Sequence, residues 1–226
     1  MLAIVTSCSA SKDDSVPISP NLRVVEPSYY LDDNNLILKL LRIRESIFSD
    51  PRTNVGDKVT YAFDLYIRAG RAYRHLFKNN YDRLKTILLQ SNVVEWFFLS
   101  GGYGVIHAFE RAQRYQATFN YNIARQKRIP HTAKLWNNVL IEICDAIFSN
   151  FNAQMVYVFG SRDYTHFVKN THYWRQSENM RIFESAGSSG PSWLSPILNE
   201  LVNSIIENKV DAFNAKYQGK FIKQIL

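Results

Sequence analysis

The sequence predicts a single α/β domain over residues 1–226, in which helices flank a central, mostly parallel sheet. The first observation is that short apolar runs at 2–6, 93–99 and 155–159 have the length and composition of buried strands. The second is that each run ends in a polar or glycine-containing loop. The third is that segments with helical apolar spacing separate the runs, which is the pattern of parallel sheets with crossover helices.

In the first half of the chain, the strand at 2–6 is followed by a long loop and then by a helix. This helix is indicated by Leu36, Leu40, Ile43 and Ile47, which repeat at helical spacing. A second helix is predicted over about 60–78, and helical spacing continues near 80–90. The run Val-Val-Glu-Trp-Phe-Phe-Leu at 93–99 is too apolar for an exposed strand and predicts a central parallel strand.

The second half continues the alternation of helices and strands. A helix is predicted from about 131 to 149, and the strand at 155–159 leads into a turn and another helix. A short strand at 181–184 and a loop of small residues at 185–191 precede the last clear helix. Residues 185–226 are predicted as a C-terminal helical part of the same domain, since no linker or repeat divides the chain.

The net charge of +7 comes almost entirely from the middle of the chain, because residues 61–136 carry 12 basic and 4 acidic side chains. Such a concentration favours an anionic partner. Arg68 and Arg71 are predicted to form a basic stripe on the helix at 60–78. Arg111 and Arg114 belong to a second basic cluster that is interleaved with aromatic residues, a mixture that suits phosphates and stacked bases. The alternative is a solvated basic face over core aromatics.

Composition excludes several classes of protein. The hydrophobic share of 46% and charged share of 21% are those of a folded globular chain rather than a disordered one. No apolar run reaches the length of a membrane span, and the N-terminus lacks the basic start of a secretory signal, so we expect a cytoplasmic protein. Two cysteines cannot form a disulfide framework, and no cysteine or histidine pair has zinc-ligand spacing. We expect neither a metal nor a cofactor.

The loop after the first strand is the first candidate site. Cys8, Ser9 and Lys12 offer a thiol, a hydroxyl and an amine where successive backbone N–H groups can form an anion-binding nest. Lys12 could hold a phosphate or act as a nucleophilic amine. In the structural alternative, Cys8 is a small buried residue and Lys12 is an exposed side chain that closes a loop.

Two further loops are predicted to reach the same edge of the sheet. Ser100-Gly-Gly-Tyr-Gly104 follows the second strand, where glycine permits a positive φ and a close approach, and Tyr103 can stack on a base. Gly160 and Tyr164 follow the third strand in a predicted turn. Ligands bind beyond the carboxyl ends of strands in open sheets, so these loops should converge. The glycine spacing excludes the common phosphate-loop motifs. His107 is a possible general acid or base if its surroundings line a pocket.

Five short pieces of this sequence form a combination more specific than any one of them. They are Cys8-Ser9-x-x-Lys12, Ala62-x-x-Leu65-Tyr66, Leu99-Ser100-x-x-Tyr103-Gly104, Tyr115 and Gly160-x-x-x-Tyr164. Together they span residues 1–165 and resemble the YaaA-like proteins of unknown function. The resemblance implies an α/β fold, a cytosolic location, DNA binding and a link to oxidative-stress protection. The Cys-Ser-x-x-Lys piece also looks like that of domains associated with enzymes that modify bases in tRNA and DNA. The chain departs from the family in having Gly101-Gly102 within the Leu-Ser-x-x-Tyr-Gly stretch, where members usually have a lysine or similar residue.

The leading functional hypothesis is a protein that acts on nucleic acid, DNA more than RNA, and handles an N-glycosidic bond at a modified or damaged base in a basic cleft. Such an enzyme must extrude the base, stack it and stabilise charge at the sugar. The alternatives are a non-catalytic DNA-binding stress-protection protein and an enzyme of small nucleotides or nucleosides. The oligomeric state stays open. The candidate catalytic residues are Cys8, Ser9, Lys12, Asp64, Tyr66, Ser100 and Tyr103, and the candidate binding residues are Gly104, Tyr115, Gly160, Tyr164, Arg68, Arg71, Arg111 and Arg114.

Overall fold

The computed structural model describes residues 1–20, 22–90, 93–185, 194–217 and 221–224. The fold is α/β, with a six-stranded, mostly parallel sheet between helices. Apolar side chains from both faces of this sheet form one hydrophobic core. Among the described residues, no helix combines the length and the apolar character needed to cross a bilayer.

The main sheet has the strand order β4-β3-β1-β6-β7-β8. Every neighbouring pair is parallel except β3 and β4, which form an antiparallel hairpin. The strands are β1 (Leu2–Ser7), β3 (Val94–Ser100), β4 (Gly104–His107), β6 (Met155–Ser161), β7 (Met180–Ser185) and β8 (Phe221–Gln224). A separate two-stranded sheet pairs β2 (Val59–Tyr61) with β5 (Arg111–Gln113).

The central position of β1 explains its almost wholly apolar sequence. It lies between β3 and β6, so both of its edges are hydrogen-bonded and both faces are covered. Its register sets Ser7 opposite Leu99 of β3 and Thr6 opposite Phe159 of β6. The carboxyl ends of these three strands therefore lie side by side, as predicted.

The helices cover the two faces of the sheet and connect most of the strands. The helix α1 begins after Asp33, whose side chain accepts a hydrogen bond from the backbone of Asn35 and caps the first turn. The helices are α1 (Asn34–Phe48), α2 (Ala62–Ile67), α3 (Arg74–Gln90), α4 (Tyr121–Lys127), α5 (Ala133–Asn150), α6 (Arg162–Lys169), α7 (His172–Gln176), α8 (Leu194–Ile206) and α9 (Val210–Lys216).

The prediction of one basic helix over 60–78 is wrong. This stretch starts with β2, forms the short helix α2, breaks at Gly70, and passes through a 3-10 turn at 71–73 into α3. A Cβ on Gly70 would lie 2.5 Å from the Tyr73 ring and 2.8 Å from the carbonyl oxygen of Tyr66. The break thus packs α2 against the next turn, and Arg68 and Arg71 do not share one helix face.

Two other connections differ from the expected alternation of strand, loop and helix. The glycine-rich loop after β3 turns back into β4 as a hairpin, whereas a helix was expected there. The C-terminal part is not wholly helical, because β8 follows α9 and pairs with β7. Of the predicted loop at 185–191, only Ser185 lies within the described residues, at the end of β7.

Candidate functional site

The first candidate loop lies at the carboxyl end of β1, against the end of β3. The backbone N–H of Cys8 donates to the carbonyl oxygen of Leu99 over 2.7 Å, which extends the pairing of β1 with β3 by one residue. Tyr73 donates its hydroxyl proton to the carbonyl oxygen of Ser7. These contacts hold the start of the loop in place.

Part of the backbone of this loop hydrogen-bonds to the protein itself. The backbone N–H of Ser11 donates to the Ser9 hydroxyl over 3.2 Å, and that of Asp13 donates to the carbonyl oxygen of Leu65 over 3.0 Å. With the N–H of Cys8 also occupied, two of the five N–H groups of residues 8–12 that were expected to form an anion-binding nest are already satisfied, and the N–H of Asp13 just beyond them is satisfied too. Ser9 therefore shapes the loop, and the expected nest is not formed by these groups.

Lys12 is half-buried, whereas an exposed side chain was expected in the structural alternative. Its Nζ lies 4.2 Å from the centroid of the Tyr115 ring and donates to the carbonyl oxygen of Ser9 over 3.1 Å. Within the described part of the chain, no carboxylate forms an ion pair with it. Burial, together with the positive charge of Lys127, lowers the Lys12 pKa below its ordinary value, against the opposing effect of Cys8.

Three hydroxyl groups meet beside the Lys12 side chain. Ser100 Oγ lies 2.5 Å from the Tyr115 hydroxyl and 3.4 Å from that of Tyr66, and the two phenol oxygens are 3.1 Å apart. Ser100 Oγ also accepts from the backbone N–H of Tyr103 over 3.0 Å. Burial raises the pKa of both Tyr66 and Tyr115 well above the ordinary value, and Cys8 adds to the shift. These phenols stay protonated and serve as hydrogen-bonding groups.

The glycines of the β3–β4 turn let a distant segment reach this cluster. A Cβ on Gly102 would lie 2.6 Å from the Tyr115 ring, and one on Gly101 would lie 2.6 Å from the backbone of Thr118. Gly104 has a φ of +70°, and its Cβ would strike the Trp136 ring at 2.5 Å. The glycine positions predicted to admit a ligand are thus filled by the protein's own chain.

The third loop reaches the cluster through Tyr164 at the start of α6. Its hydroxyl lies 3.7 Å from Cys8 Sγ and 3.5 Å from Thr118 Oγ1, and burial raises its pKa. Gly160 does not lie in a turn, as the sequence suggested, but in β6, because this strand runs on to Ser161. A Cβ on Gly160 would find ordinary contacts at 3.4 to 3.5 Å.

The cluster formed by Cys8, Lys12, Tyr66, Ser100, Tyr115 and Tyr164, hereafter the lysine cluster, does not include every candidate. Tyr103 turns its hydroxyl toward the backbone of Gln113 and, with Arg111, lines a separate groove of about 610 Å³. The pKa of Tyr103 is raised by burial to about 12. Asp64 is fully buried and is bound by Tyr81 and Lys85 on α3, without a contact to the lysine cluster among the described residues.

The four candidate arginines occupy different environments. Arg68 donates to Asp13 over 3.1 Å, and Arg114 lies 3.9 Å from Asp14, so both have acidic neighbours in the loop that follows Lys12. Arg71 and Arg111 are exposed. The predicted basic stripe is therefore divided, and Arg68 anchors the loop beyond Lys12.

His107 lies outside the lysine cluster, in β4. Its Nε2 is 2.6 Å from a carboxylate oxygen of Glu95, and its Nδ1 accepts from the backbone of Phe109 over 3.1 Å. Both ring nitrogens are thus engaged in the core, which makes this histidine structural. Among the described residues, no group of three or more His, Cys, Asp or Glu could hold a metal ion.

Two contributors to the site, Thr118 and Tyr73, were not expected there from the sequence, and a third, Lys127, was expected only as a member of the second basic cluster. Thr118 packs against Gly101 and approaches Tyr164, and Tyr73 fixes the end of β1. Lys127 lies near enough for its charge to act on Lys12. Only Lys127 had a signal, as a member of the basic run near α4. The positions of the other two depend on the path of the chain between β5 and α5 and on the break at Gly70.

No protein-family model matches this chain, and no curated protein matches it either.

Proposed function

We propose that this protein acts on nucleic acid and handles an N-glycosidic bond at a modified or damaged base, with the Lys12 amine as the nucleophile. The observation that carries the proposal is the state of that amine, which is half-buried against Tyr115, lacks a carboxylate partner among the described residues, and has a lowered pKa. A lowered pKa increases the neutral fraction that can attack an electrophilic carbon.

The reaction can be written with Lys12 alone as the attacking group. The Nζ lone pair forms a bond to the sugar carbon C1′, and the C1′–N bond breaks with its electron pair on the base. The proton that Nζ loses balances the charge on the departing base. Opening of the C1′–O4′ bond, with O4′ taking the second proton of Nζ, then leaves an imine between Lys12 and the sugar. Water can hydrolyse that imine and release the amine.

The surroundings of Lys12 support the handling of a base and a sugar. Tyr66, Ser100 and Tyr115 hold their hydroxyl groups in a fixed, neutral network that can donate to a leaving base. Fixed donors in a site shielded from water stabilise developing charge more than mobile solvent does. The basic residues of the middle of the chain favour a polyanionic substrate over a neutral nucleoside.

The proposal is tested by incubating the protein with oligonucleotides that carry deaminated, oxidised or alkylated bases, or an abasic site. Mass spectrometry of the mixture should detect a released base or an oligonucleotide that has lost it. Lys12→Met should form neither product, while Lys39→Met, at an exposed lysine of α1, should behave as wild type. Absence of a released base and of any adduct across this panel would reject the N-glycosidic reaction.

A second candidate is an enzyme that acts on small nucleotides. The ion pair of Arg68 with Asp13 favours this candidate, because it neutralises one cation of the predicted basic stripe. Salt dependence separates the two. Binding to a polymer weakens by roughly 0.7 to 0.9 log units per log of salt for every phosphate neutralised, whereas a single small ligand gives a shallow slope.

A further inference from the structure

The surface around α4 combines exposed aromatic and basic side chains. Tyr121 at its start is 61% exposed, and its ring lies 5.7 Å from the ring of His131 in an edge-to-face contact. Arg125, Lys127 and Arg128 follow at the other end and are all exposed. Residues 121–135 contain four Lys or Arg and no Asp or Glu. This surface is called the α4 platform below.

The basic side chains of the α4 platform differ from Arg68 and Arg114 in their ion pairing. Within the described residues, Arg125, Lys127 and Arg128 form no ion pair, in contrast to Arg68 and Arg114. Their charge is therefore available to an external anion. Tyr115 and Phe119, the two aromatic residues that precede α4 and interleave with the second basic cluster, are buried, whereas the Tyr121 ring is exposed.

The α4 platform is held firmly and lies next to the lysine cluster. The Asn120 side chain caps α4 at Ile123 and also donates to Asp163 of α6 over 2.5 Å. His131 lies 2.8 Å from the carbonyl oxygen of Phe119, whose ring is 4.9 Å from that of Tyr164. Tyr164 in turn contacts Cys8, and the charge of Lys127 acts on Lys12.

We infer that the α4 platform binds unpaired nucleotides of a single-stranded or locally opened nucleic acid and leads them to Lys12. This inference rests on the proposed function. An exposed ring can stack on the face of a base only when that base is not stacked within a duplex, while the three cations neutralise the phosphates that flank it. Charge complementarity selects a polyanion, and Tyr121 selects one with exposed aromatic bases.

The test measures binding of fluorescein-labelled 20-mers to the Lys12→Met protein, so that no chemistry consumes the probe and failure of the reaction cannot imitate failure of binding. The probes are single-stranded DNA, single-stranded RNA and a DNA duplex of the same sequence. Tyr121→Ala should weaken binding to one or both single strands by about fivefold or more, the effect of losing one stacked base, and should change duplex binding less than twofold. Preference between the two single strands identifies DNA or RNA as the substrate.

Phe77→Ala is the matched control, because Phe77 is a partly exposed aromatic residue on α3. It should leave all affinities unchanged. The triple variant Arg125→Gln, Lys127→Gln, Arg128→Gln should reduce the slope of single-strand affinity against salt by about 2. Equal effects of Tyr121→Ala on single strands and duplex, or none on either, would overturn the inference. So would equal competition by a polyglutamate peptide of matched charge, which would identify an acidic protein as the partner.

Discussion

The Lys12 ammonium group lies 4.2 Å from the centroid of the Tyr115 ring, so a loop from the first strand is joined to a segment more than a hundred residues away. A contact of this kind contributes about 0.5 to 2 kcal/mol, and here it offsets part of the cost of burying the amine, which is the largest influence on the Lys12 pKa. The phenol oxygen of the same tyrosine binds Ser100 at the end of β3. Tyr115 thus links the amine to the neighbouring strand.

Lys12→Met is expected to abolish the reaction without lowering stability at neutral pH. Burial lowers the Lys12 pKa in the folded state below that in the unfolded chain, so the unfolded chain binds more protons between the two values. Stability of the wild type should therefore increase with pH through this interval. The free-energy cost of burying the charged Lys12 amine is fully present below the folded pKa and is absent above the unfolded pKa. Urea unfolding between pH 6 and 10 should show this increase in the wild type and not in Lys12→Met. A Lys12→Met protein that is much less stable at pH 7 would contradict the prediction.

Gly102→Ala is expected to destabilise the protein by roughly 1 to 3 kcal/mol, because the new Cβ would push against the Tyr115 ring. Gly160→Ala is the matched control, since its Cβ meets only ordinary contacts and the backbone of β6 tolerates it. Gly104→Val should cost more than either, as it adds strain at a positive φ to a clash with Trp136. In thermal unfolding, Gly160→Ala should have the highest melting temperature of the three variants, Gly102→Ala a lower one and Gly104→Val the lowest. Equal melting temperatures for the two alanine variants would be inconsistent with the packing described.

Tyr115→Phe and Tyr66→Phe should show coupled effects. Either change removes one phenol from the network around Ser100, at a cost of about 0.5 to 1.5 kcal/mol. Because the two phenols also contact each other, the double variant should cost less than the two single costs added together. A double-mutant cycle by urea unfolding measures this difference, and strict additivity would show that the hydroxyls act independently.

Glu95 should make the protein sensitive to acid. This carboxylate accepts from the Tyr29 hydroxyl over 2.6 Å and lies 2.6 Å from His107 Nε2. Burial alone would raise its pKa, but the hydrogen bonds with His107 and Tyr29 outweigh burial and lower it below the ordinary value of 4.5. Its contribution is therefore present above about pH 4.5 and is lost as the pH falls through the folded pKa. Glu95→Gln should be less stable at pH 7 and should lose part of the acid dependence. Parallel pH profiles for the two proteins would refute this role.

Much of the fold could be predicted from the sequence because the buried strands β1, β3 and β6 are continuous apolar runs, and α1, α5 and α8 have clear helical spacing. Strands of three or four residues, such as β2, β4 and β5, are too short to show alternation. The hairpin after β3 was missed since a glycine-rich loop is equally typical of a strand-to-helix turn. The single helix predicted over 60–78 was also wrong. The chain breaks at Gly70, although the apolar and basic residues keep their helical spacing beyond this glycine.

The candidate site could be predicted in part for a similar reason. Parallel neighbouring strands bring the residues that follow β1, β3 and β6 to one edge, so Cys8, Ser100 and Tyr164 were expected to meet. The predictions that failed depended on the direction of a side chain or on the path of the chain in the folded protein, neither of which is visible in the sequence. Tyr103 points into the separate groove, Asp64 is held by Lys85, and Thr118 reaches Gly101 only because the chain between β5 and α5 folds back over the turn.

Reductive trapping tests the central role of Lys12 most directly. The protein is incubated with an oligonucleotide carrying an abasic site or a damaged base, sodium borohydride is added to reduce any imine to a stable amine, and the adduct is digested and mapped by mass spectrometry. We predict a covalent adduct on Lys12 in the wild type, its absence in both Lys12→Arg and Lys12→Met, and its presence in Lys39→Met. An adduct on another lysine, or the same yield of adduct from Lys12→Met, would contradict the proposal that this amine is the nucleophile.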